Sequence, residues 1–552
     1  MVVSERQKVN LPASPAALLY LVADTEQELT RMPVHFVRLS DAEEIRIGNE
    51  LARYYSSMEG KESSPENAII EHYLTRVGTE LAGHAHRILP YKFHYIPNSN
   101  FINAFALPGG HVYVGGGLVA LMDSEDELAA VIGHEIEHID HYHCSDRVQQ
   151  QQALRRIPLA SLVAIPLEVF EAGYSKDQEL EADREGTRLA VQAGYAASGA
   201  IRMFETFERL QKEYQVQAKT PQDEVAQLAQ QALEGYFRSH PLPSERTAQV
   251  QRVIASENWP PRAERDLRIA YLFVTAKAQI ALDERKFARA EQLANQSLLL
   301  RPDQPRAFQV LAAAQFAQAK FSEAAAAYRK ILETESLPEI IHSFAQTLAA
   351  ADRKSAASEF RRWTNDIKGQ RPQETDVAEA GLALLAGDRE SAHRLEIELR
   401  VSGGVHAPAW IGELGWWHYL NGDYQPAVEL LSEARQQRPA DVNLGTQLAW
   451  AFIETHHYGD ALQTLESFSY ERQAPQEKAI VQAIAHWLAQ EHDEAMRDFD
   501  IAMGSEPQWE NPKWVSALYS PLVAQSIQEM QAERERRRQK AKADANRAAG
   551  RN

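Results

Sequence analysis

His134, Glu135 and His138 stand in the run Val-Ile-Gly-His-Glu-Ile-Glu-His-Ile-Asp over residues 131–140 and form His-Glu-x-x-His. On a helix, residues four apart lie one above the other on the same face. Two imidazoles so placed can grip one metal ion, with Glu135 beside the open coordination position. A carboxylate there can take a proton from a water in that position, which metal-assisted peptide hydrolysis requires. The pattern is short, and a helix with two surface histidines produces it without any chemistry. Its company in the chain decides between the two.

A catalytic zinc site takes three protein ligands and a water. Cys144 is the only cysteine, so no intrachain disulfide and no Cys-based metal site can form. The candidate third ligand is Glu179, in Ser-Lys-Asp-Gln-Glu-Leu-Glu-Ala-Asp-Arg-Glu-Gly over 175–186, which reads as a second helix. Glu179 and Asp183 share a face. The first can complete the metal shell while the second accepts a hydrogen bond from a ligand histidine and fixes its tautomer. Glu181 and Glu185 are also four apart on a different face, so spacing alone does not choose between the pairs.

Several elements must position these groups. Asp123-Ser-Glu-Asp-Glu-Leu opens the His-Glu-x-x-His helix with acids in its first turn, as the helix dipole favours, and Leu128, Val131, Ile132 and Ile139 supply its buried side. His141 and His143 follow, with His141 expected on the helix surface or behind the ligands. Helices are expected from Asp41 to about Tyr55 and from Pro65 to His86, the second with a stripe of Ile69, Ile70, Tyr73, Leu74, Val77 and Leu81. Tyr91–Ile96 alternates as a strand does. Asn103 to Gly117 reads as two short strands joined at Pro108–Gly110. Asn103, Ala104 and Phe105 on this edge can align an extended substrate by main-chain hydrogen bonds; an ordinary hairpin is the alternative. Ile157–Leu167, apolar and broken by Pro158 and Pro166, reads as a loop or lid beside the cleft.

The His-Glu-x-x-His helix, the later Glu-x-Glu-Ala-Asp-x-x-Gly and the earlier Asn-Ala-Phe-Ala-Leu-Pro-Gly-Gly together resemble the zinc metallopeptidases that include BepA, HtpX and the CAAX prenyl proteases. The resemblance covers roughly residues 35–255. It implies an α+β zincin-like (gluzincin) domain with a small sheet, one zinc per chain, and Glu179 as the third ligand. It also draws in His240-Pro-Leu-Pro-Ser-Glu-Arg246, where His240 could approach the metal or cleft and Arg246 could stabilise the oxyanion. Without the family, that segment is a Pro-rich turn closing the domain.

From about residue 267 the composition shifts to Ala, Leu, Gln and Glu with a 34-residue period. Phe287 and Phe321 are one period apart, as are Tyr424, Tyr458 and His492, and three positions beyond each lies Ala290, Ala324, Ala427, Ala461 or Ala495. Trp416 and Trp450 keep the same spacing. Such helix–turn–helix units resemble the tetratricopeptide repeat, and stacked they form a superhelix with a concave protein-binding groove. About seven units are expected, degenerate near 340–400.

The organisation is therefore an N-terminal extension over 1–34, a zinc metallopeptidase domain over 35–258, a repeat α-solenoid over 265–505, and a terminal helix with a basic tail over 506–552. The chain is mainly α. Its net charge, 58 − 77 = −19, argues against a general nucleic-acid binder. No apolar stretch reaches the roughly 20 residues that span a bilayer, and Ala16–Ala23 is a poor signal-peptide core. The N-terminus as written points to the cytoplasm, whereas the resemblance points to the periplasmic or cell-envelope side. Peripheral membrane contact through the basic tail is an alternative to a solvated end. The expected activity is zinc-dependent hydrolysis of protein substrates in quality control, with the repeats recruiting a substrate or partner. The rival is a latent or chaperone-like scaffold that retains its zinc site.

Overall fold

The computed structural model describes residues 39–58, 64–155, 174–217, 243–333, 338–366, 372, 374–402, 407–467 and 477–549. The expected extension over 1–34, the Ile157–Leu167 stretch and His240 lie outside the described residues. The rest is mostly helical with one small sheet, and the chain divides into two compact units, Met1–Ala270 and Tyr271–Asn552. Among the described residues no helix is long and apolar enough to cross a membrane.

In the first unit, Ser40 and Glu43 bond one another reciprocally at the start of α1 (Asp41–Met58). Ser64 caps α2 (Pro65–Ala82), whose first position is the proline that a helix start tolerates best. Its stripe buries Ile70, Tyr73, Leu74, Val77 and Leu81, but Ile69 is 44% exposed. Ile69 sits one position round the helix from Ile70, beyond the arc that the sheet covers. The sheet has the order β1-β3-β2. Strand β2 (Ala104–Leu107) turns at Pro108–Gly110 into β3 (His111–Gly115) and pairs with it antiparallel, while β1 (Lys92–Ile96) pairs parallel on the other side. Strand β2 is thus an edge, and it packs on α3 (Glu125–Asp140), the His-Glu-x-x-His helix.

Every residue of α3 is buried, not only the apolar side expected from the pattern. The acids of its first turn do more than complement the dipole. Glu125 takes hydrogen bonds from Tyr73 and Arg76 of α2. Asp126 accepts from the Ala196 N–H at 2.5 Å and the Arg265 N–H at 2.6 Å. Segment 259–270 belongs to this unit for the same reason: the Glu125 N–H donates to the Arg265 carbonyl at 2.9 Å, and Arg262 bonds the Val191 carbonyl.

In the second unit, fourteen described helices follow as seven helix–turn–helix pairs, from Ala270–Asp283 with Phe287–Leu300 to Lys478–Leu488 with His492–Ser505. Phe287, Phe321, Tyr424, Tyr458 and His492 each begin the second helix of a pair. The alanine three positions on is fully buried in all five. In the degenerate stretch the second helix Ala356–Asp366 has Glu359 at that position and buries Phe360 instead, a slip of one residue that blurs the period.

Six of the seven pairs share a turn that the period does not reveal. Arg285, Ala319, Gly387, Gly422, His456 and Gln490, each two residues before a second helix, have φ between 58° and 85°. The next N–H reaches back five residues in every case, Lys320 to Gln315 and Asp423 to His418 among them, at 2.8–2.9 Å. That bond is the mark of a Schellman close. Beyond the repeats, Val523, Ile527 and Met530 bury one face of the terminal helix Pro521–Ala549. Arg534 and Arg537 in its basic part pair with Asp500 at 2.7 Å and Asp493 at 2.9 Å, both on the last repeat helix.

Two predictions follow from this packing. Burial raises Glu127 to about 7, so the folded chain holds that proton more tightly than the unfolded chain between pH 4.5 and about 7. Stability from this residue is therefore lost as pH rises through that window. Glu127→Gln removes the loss, so its melting temperature exceeds wild type at pH 8 and matches it near pH 4.5. Gly422, at φ 85° with open space around its α-carbon, isolates the backbone term of the repeat turn. Gly422→Ala costs about 1 kcal/mol by denaturant unfolding.

Candidate metal centre

The site is built by two helices that cross closely. After α3 comes α4 (His143–Arg155), and α5 (Lys176–Gln192) opens on Ser175, which forms a reciprocal capping box with Gln178 and sets Glu179 in the first turn. A Cβ on Gly186 of α5 would lie 2.8 Å from the backbone nitrogen of His134, and one on Gly133 would lie 3.0 Å from the Gly186 carbonyl oxygen. Only glycine at both positions lets the backbones come this near.

That crossing brings His134, His138 and Glu179 together, all buried, with one ligand atom from each within 4.8 Å of the others. The two Nε2 atoms are 3.0 Å apart. Glu179 Oε2 lies 3.5 Å from His134 Nε2, and Oε1 lies 3.5 Å from His138 Nε2. Ligands at zinc-like bond lengths and tetrahedral angles are about 3.3 Å apart, which these separations bracket.

The donor set asks for a cation. His134 Nδ1 faces Asp183 Oδ1 at 3.0 Å and must donate to it, which leaves the Nε2 lone pair directed inward. His138 Nδ1 is engaged at 3.0 Å by His143 Nδ1, which leaves its Nε2 inward as well. Two lone pairs and a carboxylate then meet in a buried space. Burial opposes charge on both rings, but the Asp183 and Glu179 carboxylates outweigh it at His134 and raise it to about 10. Burial wins at His138, which is held well below its ordinary value. One positive charge is stable between these groups, and a zinc ion fits that demand.

Supporting groups surround the ligands. Arg246, at the start of α7 (Pro243–Glu257) beyond α6 (Ser198–Gln217), grips Asp183 with two bonds of 2.6 Å and lies 3.4 Å from Glu179. The expected oxyanion donor thus has its guanidinium spread across a carboxylate. Glu135 is buried beside His134, and its charge acts on Tyr174 and Cys144. The Tyr174 ring stacks on His138 at 3.9 Å, and its hydroxyl lies 3.2 Å from Cys144 Sγ. Sequence reasoning missed Tyr174, whose only signal is its place just before the Ser175 cap. The rival carboxylates of α5 face elsewhere: Glu181 toward His143 at 3.4 Å, and Glu185 onto Arg184 and Arg188.

Asn103, Ala104 and Phe105 are buried, and the Phe105 ring packs in the core against Tyr55 and Tyr113. The Gly115 N–H donates to the Asn103 carbonyl, so the alternation of an antiparallel ladder turns the polar groups of Ala104 and Ala106 away from β3. The Ala104 N–H donates to Asn103 Oδ1 at 3.0 Å, and the Ala106 carbonyl accepts from the Cys144 thiol at 3.6 Å.

The model of Peptidase family M48 matches residues 68–254, a stretch that contains His134, Glu135, His138 and Glu179. This stretch is similar to the M48 peptidase domain. Peptidases of family M48 are zinc-dependent metalloproteases. A tetratricopeptide-repeat model matches residues 418–484. A Vibrio cholerae protein that carries the name beta-barrel assembly-enhancing protease is 27% identical over 291 residues, 43% of this chain and 56% of its own length. The Beta-barrel assembly-enhancing protease of Escherichia coli (strain K12) is 25% identical over 236 residues, 39% of this chain and 44% of its own. Mitochondrial metalloendopeptidase OMA1 of Arabidopsis thaliana is 31% identical over 123 residues, 21% and 25% of the two chains. The chain spans about half the length of the first curated relatives it matches.

The M48 helix crossing has a direct test. Gly186→Ala forces the two ligand helices apart, costs about 1–3 kcal/mol of stability as overpacking does, and weakens zinc binding in chelator competition. Gly459→Ala, where a Cβ meets nothing within 4 Å in a helix, costs no stability and leaves zinc binding unchanged.

Proposed function

We propose that this chain is a zinc-dependent metalloendopeptidase that holds one zinc through His134, His138 and Glu179. The observation that carries the reading is the buried convergence of these donors beside Glu135. Bound there, zinc supplies Lewis-acid polarisation of the scissile carbonyl and makes a water acidic near neutral pH. Glu135 takes the proton of the attacking water as it adds to the carbonyl. It then hands that proton to the amide nitrogen as the C–N bond breaks. Asp183 holds His134 in the tautomer whose Nε2 faces the metal, and Arg246 holds Asp183. We assign Arg246 to that positioning in place of the oxyanion. His240 lies outside the described residues, and only the family resemblance assigns it an approach to the metal or the cleft.

Protein substrates follow from the peptidase domain, and the repeats suit recruitment of a substrate or partner segment. Two of the relatives are named for enhancing β-barrel assembly. With the sequence resemblance, those names support a quality-control role on the cell-envelope side. One observation favours a second reading, a latent peptidase or scaffold. The Ala104 N–H and Ala106 carbonyl that an added substrate strand would use are taken by Asn103 and Cys144. Substrate pairing at β2 requires that exchange.

Metal content and casein cleavage of wild type beside Glu135→Gln, in one preparation, test the reading. Both are expected to bind one zinc per chain, and only wild type cleaves. Zinc in both with cleavage by neither transfers support to the latent reading, and absence of zinc in both removes the site.

A further inference from the structure

His138 is supported differently from His134. His134 donates directly to a carboxylate, Asp183, whereas the partner of His138 Nδ1 is another imidazole, His143 Nδ1, at 3.0 Å. With Nε2 turned to the metal site, His138 carries its proton on Nδ1 and is the donor. His143 therefore accepts on Nδ1 and holds its own proton on Nε2, which faces Glu181 Oε2 at 3.4 Å. His143 is 4% exposed, while the Glu181 side chain is 38% exposed and also meets His141 at 3.8 Å and Arg184 at 3.5 Å. A line of two imidazoles thus runs from the ligand set to a carboxylate at the protein surface.

The backbone supports the same arrangement independently. Between α3 and α4, Tyr142 has φ 65°, a left-handed conformation costly for a bulky side chain, and Arg87 stacks on its ring at 3.8 Å. That turn lets the chain reverse within two residues, so that His143, the first residue of α4, meets His138 five residues earlier. A histidine that merely filled space would need neither the turn nor the nitrogen-to-nitrogen contact.

We propose that His143, backed by Glu181, is a positioning residue of the metal centre that fixes the tautomer and ring orientation of His138. The proposal rests on the zinc-peptidase reading above. Partners of this kind, once removed, typically cost about 10–100-fold in metal affinity. Glutamine at position 143 can still accept a hydrogen bond from His138, whereas phenylalanine keeps the ring volume and accepts nothing.

The test measures zinc affinity of the full chain by chelator competition and the visible spectrum of its cobalt(II) form, for wild type, His143→Phe, His143→Gln and His138→Ala. His143→Phe is expected to bind zinc about 10–100-fold more weakly with shifted cobalt bands, and His143→Gln to recover most of the affinity and the wild-type spectrum. Wild-type affinity and bands in His143→Phe overturn the proposal, as does an equal loss in both His143 variants. Should His143→Phe not fold, Glu181→Gln decides: several-fold weaker binding supports the relay and unchanged binding overturns it. If wild type and His138→Ala bind zinc alike, or neither binds, the zinc reading itself fails and the proposal with it.

Discussion

The metal centre depends on the close passage of two helix backbones at Gly133 and Gly186. Ligands on separate helices meet only if the helix axes come near enough for short side chains such as His and Glu to span the gap. Here a Cβ on Gly186 would reach to 2.8 Å from the nitrogen of His134 itself. The glycine of Glu-x-Glu-Ala-Asp-x-x-Gly is thus explained by packing. It stands seven residues after Glu179, two helical turns along the same face.

Around that crossing the site is organised by charge. Two imidazoles and a carboxylate turned inward in a buried space are best satisfied by a positive charge among them. The surrounding groups set the direction of each ring. Asp183 is fixed by the two-pronged grip of Arg246, which also offsets its charge, so Glu179 is left as the anionic ligand. On the other ligand an imidazole replaces the carboxylate, and Tyr174 covers the face of the ring. The acids at the start of α3 belong to the same design: they tie the helix to α2, to Ala196 and to Arg265, and so bury a helix whose composition alone would leave one side wet.

The second unit is held by a different economy, repetition of one contact. Six of the seven second helices start after a left-handed residue and a bond back over five residues, and Ala290, Ala324, Ala427, Ala461 and Ala495 are fully buried. Four of the six left-handed positions are not glycine. They bear some strain because the closing hydrogen bond and the packing of the next helix outweigh it.

How far the sequence alone determined this protein differs between the two units. In the repeats the contacts are local, so a 34-residue period was enough to place five second helices and their buried alanines, and it slipped by one residue near Phe360 and again between Arg389 and Tyr424. The left-handed turns stayed hidden, since Arg285, Ala319, His456 and Gln490 carry no residue signal for them. In the peptidase domain the residue types and helix spacing of His134, Glu135 and His138 were legible, as was the strand pair. Spacing left two carboxylate pairs open on α5, because both are four apart. Only the crossing decided which face of α5 meets α3, turning Glu179 and Asp183 to the histidines and Glu181 outward toward His143. The parts played by His143, Tyr174 and Arg246 were likewise decided by tertiary structure, since each meets its partner through a turn or a contact between helices that no periodicity encodes.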